Sequence, residues 1–143
     1  MTTKAMVPPA APLVAGSRKI KPLAELAVLL ESERAAGRRI ALCHGVFDLV
    51  HPGHILHFRE ARKHGDLLVV TITPDRFVRK GPGRPVFNQR LRQETIAALE
   101  DVDFVAINEW PTAVETIRRL RPHVYVKGQD YADRSADLTG KIL

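Results

Sequence analysis

The chain has 143 residues, is 45% hydrophobic and carries a formal charge of +6, a composition that supports one globular domain with a real core. Its apolar runs fall well short of the roughly 20 residues of a membrane helix, its N-terminus lacks the apolar core of a signal peptide, and its single cysteine, Cys43, has no internal partner; a cytoplasmic protein without a membrane association is expected. Of the +6, four charges sit on Lys4, Arg18, Lys19 and Lys21, before the first acid at Glu25, so the excess lies largely in a tail, and with few aromatic residues for stacking a nucleic-acid partner is not expected.

Residues 1–19, rich in proline, alanine and small residues, show no sustained periodicity and read as a disordered leader to a domain spanning 20–143. From Pro22 the period becomes helical, with Leu23, Leu26, Ala27 and Leu30 on one face and Gly37 as the stop. The short apolar run 40–43, ending at His44-Gly45, predicts a buried strand. A helix over 53–64 closed by Gly65, a second buried strand over 66–73 and a brief helical turn over 75–80 follow, and GPGRP then breaks the chain. Asn88 predicts the cap of a helix running to about residue 99, followed by a strand over 103–107, a helix over 111–120 and a strand over 123–127. Strands alternating with helices predict an α/β fold, an open parallel sheet with helices on both faces.

In such a sheet ligands sit beyond the carboxyl ends of the strands, at the switch point that the first strand normally borders. Residues 43–54, CHGVFDLVHPGH, occupy that first connection. Gly45 permits close approach of backbone, Pro52 suits the first helical position, His51 becomes the N-cap and His54 lies in the first turn. Two imidazoles beside a helix N-terminus make a clamp for phosphate. A metal cage from Asp48, His51, His54 and His57 lacks the usual histidine pairs four apart on a helix. His57 and His64 read as packing or surface residues and Cys43 as a buried strand position, while His44, ending a strand at the site, stays open.

The run Gly45-x-Phe47-Asp48-x-x-His51-x-Gly53-His54 resembles the signature of the cytidylyltransferase-like nucleotidyltransferases, the HxGH superfamily, which implies a Rossmann-like sheet. RPV at 84–86, NQR at 88–90 and VKGQDY at 126–131 most resemble the nucleotidyltransferase domains of bifunctional heptose phosphate kinase/adenylyltransferases. Glycerol-3-phosphate cytidylyltransferases are the nearest competitor. Two positions depart from the heptose pattern: His44 stands where asparagine is usual, and Gln129 replaces the second glycine of VKGGDY.

The resemblance implies transfer of a nucleotidyl group from ATP, or alternatively CTP, to a sugar or polyol phosphate such as heptose 1-phosphate, with release of pyrophosphate. Mg²⁺ would be held mainly by the nucleotide phosphates, without a protein metal site. His51 and His54 would contact the triphosphate; Gly45, Val46, Phe47 and Gly53 would shape the nucleotide pocket, and Asp48 would orient the loop or help hold Mg²⁺ indirectly. Lys127, Gly128 and Asp130 would complete the nucleotide side, Asp130 at base or ribose.

Between Arg76 and Arg92 stand six basic residues and no acid, a solvated face or a substrate surface. By resemblance Lys80 and Arg90 contact the α-phosphate region and the acceptor phosphate, and Asp75 and Arg84 lie on the acceptor side under a GPGRP loop that closes over substrate. A homodimer, and linkage to a downstream sugar kinase, are further expectations. The family pattern continues with another strand and a Ser/Thr-rich turn, so a C-terminally incomplete domain is expected. A nucleotide-binding regulatory domain without turnover is the reading from another class.

Overall fold

A computed structural model describes residues 17–128. Strands β1 (Ile40–Gly45), β2 (Leu67–Ile72), β3 (Phe104–Ile107) and β4 (Val124–Tyr125) form one sheet in the order β3-β2-β1-β4. All pairs are parallel: Ile40 to Gly45 run beside Leu67 to Ile72, Val69 to Ile72 beside Phe104 to Ile107, and Ala41 and Leu42 beside Val124 and Tyr125. The chain steps outward from β1 to β3, then returns to add β4 on the other side of β1. The switch point therefore lies between β1 and β4, where the expected crevice is bordered by the first strand.

Helices α1 (Leu23–Ala35), α2 (Pro52–Arg62), α3 (Gln89–Ala97) and α4 (Val114–Leu120) cover the sheet. Side chains alternate across a strand, and β1 divides accordingly. Ala41 and Cys43 join Phe58 and Ala61 of α2 and Ile96 and Ala97 of α3; Ile40 and Leu42 join Leu23, Leu26 and Leu30 of α1 and Leu120 of α4. Each fully buried leucine contributes about 2 kcal/mol. Among the described residues no helix is long and apolar enough to cross a membrane.

Several boundaries differ from the sequence pattern for local reasons. α4 begins at Val114 rather than at Pro111, because the buried Asn108 amide donates to the carbonyls of Trp110 and Thr112 and wraps 108–113 into a turn. The Thr116 hydroxyl donates to the Asn108 side-chain oxygen, fixing that turn to the helix. β4 is two residues long instead of five, although Val126 still donates to Leu42 O, and the His123 ring accepts from Ile40 N–H at 2.9 Å. α2 starts at Pro52 and stops at Arg62, and the helical turn after β2 is only Asp75–Phe77.

At the other edge, Val105 N–H donates to Lys19 O and Lys21 N–H donates to Val105 O. Lys19, assigned by composition to the leader, thus belongs to the sheet edge; composition registers small residues but not backbone pairing. Residues 1–16, Asp130, and the ending expected to be incomplete lie outside the described residues.

Candidate active site

The loop from β1 to α2 is built around Phe47. Its backbone is left-handed (φ +53), and its ring turns back over the end of β1. A Cβ at Gly45 would meet the Phe47 ring at 2.8 Å, so this glycine makes room for the phenylalanine. Phe47 is buried and stands edge-on to Phe58 and to His54, with centroids 5.2 and 5.5 Å away. It sets the position of the second histidine of the signature.

His51 is the N-cap of α2 and Pro52 its first residue, as the sequence predicts. Gly53 N–H donates to His51 Nδ1 at 3.0 Å, and His51 N–H donates to His54 Nδ1 at 3.1 Å. This reciprocal pair is a capping box made of two imidazoles. A ring nitrogen that accepts cannot carry the proton, so each neutral ring holds its hydrogen on Nε2. The rings lie 4.0 Å apart at the amino end of an 11-residue helix, where the helix dipole also favours an anion.

Asp48 is buried and faces away from solvent. Its carboxylate accepts from Phe87 N–H at 3.0 Å, Val86 N–H at 2.6 Å and Arg84 Nε at 2.9 Å. Arg84 also donates to the Asp48 carbonyl. Burial opposes ionisation, but the Phe87 and Val86 amides and the Arg84 guanidinium outweigh it and hold the carboxyl below its ordinary value. Asp48 and Arg84 together strap the 84–87 segment to the signature loop.

Arg92, 1% exposed, is the residue whose role spacing alone did not single out. Its guanidinium donates to Val46 O and Thr73 O, both at 2.8 Å, to Phe87 O at 3.0 Å and to Asp75 Oδ1 at 2.6 Å. One side chain thus ties the β1 loop, the end of β2, the turn after it and the start of α3. Asp75 is correspondingly engaged, and its N–H donates to Gln89 Oε1. Lys80 is exposed on the loop whose Gly81 and Gly83 have positive φ, and Arg90 is exposed in the first turn of α3. Both belong to the connection that leaves the carboxyl end of β2.

Across the switch point, β4 leads to the exposed Lys127 and Gly128. A Cβ at Gly128 would lie 3.0 Å from His57 Nε2. His57 in turn rests against Cys43, Nε2 to Sγ 3.5 Å, and burial lowers its pKa. Burial also pushes the Cys43 thiol up to about 12, so it stays protonated and is a poor nucleophile. His44 lies between β2 and Lys127, with Nδ1 2.9 Å from Thr71 Oγ1. Two concavities lie elsewhere, one bordered by Arg39, Lys63 and His64 and one by Lys21, Arg76 and Asn108, and neither includes a residue of 43–54.

An open parallel sheet whose first strand borders the switch point and delivers a His-x-Gly-His helix start defines a class. The Cytidylyltransferase-like family model matches residues 42–139, and the chain belongs to the cytidylyltransferase-like family. It is 45% identical over 115 residues to the bifunctional protein HldE of Pelobacter propionicus, covering 79% of this chain and 24% of that protein. To the bifunctional protein HldE of Methylococcus capsulatus it is 47% identical over 116 residues, covering 80% and 24%. The chain thus spans about a quarter of the length of these relatives. The crystal structure of the lipopolysaccharide core biosynthesis protein from Thermoplasma volcanium superposes with a TM-score of 0.61 at 31% identity, covering 74% of this chain and 87% of that one.

Proposed function

We propose that this domain is a cytoplasmic nucleotidyltransferase that moves a nucleoside monophosphate from ATP to the phosphate of a sugar phosphate such as heptose 1-phosphate, with pyrophosphate leaving. The observation that carries this reading is the double-imidazole cap, two rings 4.0 Å apart with Nδ1 engaged by backbone N–H at the N-terminus of α2, on the connection that follows the first strand. The names of the relatives, HldE and lipopolysaccharide core biosynthesis protein, support an acceptor of the sugar class. CTP is the alternative donor.

In the proposed reaction an oxygen of the acceptor phosphate attacks the α-phosphorus in line, the bond to the bridging oxygen breaks, and its electron pair leaves with pyrophosphate. The nucleophile is already an anion, so no strong base is needed. Two repelling polyanions must be held together and the transition-state charge absorbed. His51 and His54 donate from Nε2 to the triphosphate, and Lys80 and Arg90 neutralise the α-phosphate region and acceptor phosphate. Lys127, Gly128 and Asp130 form the nucleotide side. Asp75 and Arg84, engaged with Arg92 and Asp48, hold the acceptor-side loops in shape.

Among the described residues no group of three or more His, Cys, Asp or Glu side chains is arranged to hold a metal ion, and we assign Mg²⁺ to the nucleotide's own phosphate oxygens, where its charge offsets theirs. A homodimer and a linked sugar kinase belong to the same reading. The test is pyrophosphate release with ATP or CTP against heptose 1-phosphate and glycerol 3-phosphate. Saturable release with ATP and heptose 1-phosphate is expected; tight ATP binding with no release for any pair would leave a binding domain instead.

A further inference from the structure

At its carboxyl end β1 stays paired with β2 through Gly45, while its register with β4 ends at Leu42. On one side His44 and Thr71 are register partners, and the ring stands between two hydroxyls of β2 and its continuation, Nδ1 2.9 Å from Thr71 Oγ1 and Nε2 3.4 Å from Thr73 Oγ1. On the other, Val126 N–H donates to Leu42 O at 2.9 Å and carries the pairing toward Lys127, whose charge acts on the imidazole. Both threonines are buried, and Thr73 is itself fixed: its N–H donates to Gly45 O and its carbonyl accepts from Arg92. The ring is clamped on a rigid wall, yet remains partly exposed at the carboxyl end of the strand that borders the crevice.

Its charge limits what it can bind. Burial first, then Lys127, push the imidazole down to about 4 against an opposing hydrogen bond with Thr71, so the ring is uncharged at neutral pH. Unlike the two histidines at α2, it is not backed by a helix N-terminus and is ill suited to phosphate. A neutral imidazole offers one donor and one acceptor, the complement of a hydroxyl. Its contact to Thr73, at 3.4 Å, is the looser of the two and can be exchanged without uncovering a charge.

We infer that His44 is a specificity-determining residue of the acceptor site, reading a hydroxyl on the carbon skeleton of the sugar or polyol phosphate from the floor of the crevice. This rests on the transfer reaction proposed above. Asparagine, usual here in the heptose pattern, carries a donor and an acceptor on a shorter side chain. The imidazole instead sets its two nitrogens against Thr71 and Thr73, so a substrate hydroxyl that replaces the looser Thr73 contact is read at a different place.

The test uses the full chain with heptose 1-phosphate and glycerol 3-phosphate as probes. In ring-labelled protein, the His44 imidazole signals, identified by their loss in His44→Asn, should move when a sugar phosphate is added and hold still with ATP alone. In kinetics, His44→Ala should raise KM for the better acceptor about tenfold with KM for ATP within twofold, and His44→Asn should change the ratio of kcat/KM between the two acceptors. An unchanged ratio in both variants, or a weakened ATP site with normal acceptor KM, would overturn the assignment. If the wild-type chain transfers to neither acceptor, the proposed reaction has failed, and the ring signals still decide: their indifference to both sugar phosphates removes His44 from the acceptor site.

Discussion

His54 Nδ1 accepts the backbone N–H of His51 at 3.1 Å, while His51 Nδ1 accepts that of Gly53 at 3.0 Å. The two bonds that start α2 are therefore the bonds that set the protons on Nε2, so capping and the proposed donation to phosphate use opposite sides of the same rings. Substitution can separate them. Asparagine caps a helix well but cannot reproduce Nε2–H, whereas alanine does neither; the lost cap costs about 1 kcal/mol. His51→Asn and His51→Ala should each lower kcat by two to three decades, the loss of about 3 to 4 kcal/mol expected for one transition-state donor. Only the alanine variant should also shift the urea midpoint. Near-normal pyrophosphate release by His51→Asn would confine this histidine to capping.

Asp48 gives a pH-dependent contribution with a defined sign. Its pKa is held below the ordinary carboxylate value in the fold, so its stabilisation is present above the unfolded pKa of about 4 and is lost as pH falls through the folded pKa. Asp48→Asn turns an amide toward the Val86 and Phe87 N–H donors and leaves Arg84 without its carboxylate. It should cost about 3 kcal/mol at pH 7, as for a broken buried pair. Urea titrations should show that gap narrowing below pH 4; a constant gap from pH 7 to pH 3 contradicts the carboxylate's role.

Arg90 and Arg92 stand two residues apart and have different fates. α3 turns Arg90 outward and drives Arg92, 1% exposed, beneath the loops. Lysine cannot serve four acceptors in a fixed fork, so Arg92→Lys should destabilise by about 3 kcal/mol and impair every kinetic constant together. Arg90→Ala, at an exposed position, should cost clearly less stability than Arg92→Lys and act on acceptor KM and kcat. Calorimetry beside steady-state kinetics separates these outcomes, and equal stability losses would refute the division.

That contrast marks how far the sequence could be read. Periodicity and the signature located β1, α2, α3 and the switch crevice because burial patterns and caps are local. The six basic residues between Arg76 and Arg92 could not be sorted by spacing, since Arg92 is buried at the cost of three carbonyls and a carboxylate contributed by Val46, Thr73, Phe87 and Asp75. The late start of α4 depends likewise on Asn108 holding two carbonyls. Polar side chains that satisfy distant backbone leave no periodic trace. His44 was visible as a departure from the family pattern, and its threonine partners became evident only through the β1–β2 register.

Gly128 and His57 join the loop after β4, the proposed nucleotide side, to α2. The glycine lets that loop settle on the imidazole, because a Cβ there would stand 3.0 Å from Nε2, and His57 is backed by Cys43 at 3.5 Å and cannot easily retreat. Gly128→Ala should therefore push the loop outward and weaken ATP binding about fivefold, a strain of ~1 kcal/mol. The origin of the loss can be checked by relieving the crowding from the other side. His57→Ala opens space under residue 128, so the double variant should bind ATP more tightly than Gly128→Ala alone. Titration calorimetry of the wild type, the two single variants and the pair measures that coupling. Strictly additive losses would mean that Gly128 is needed for approach to the nucleotide and not for its seat on His57.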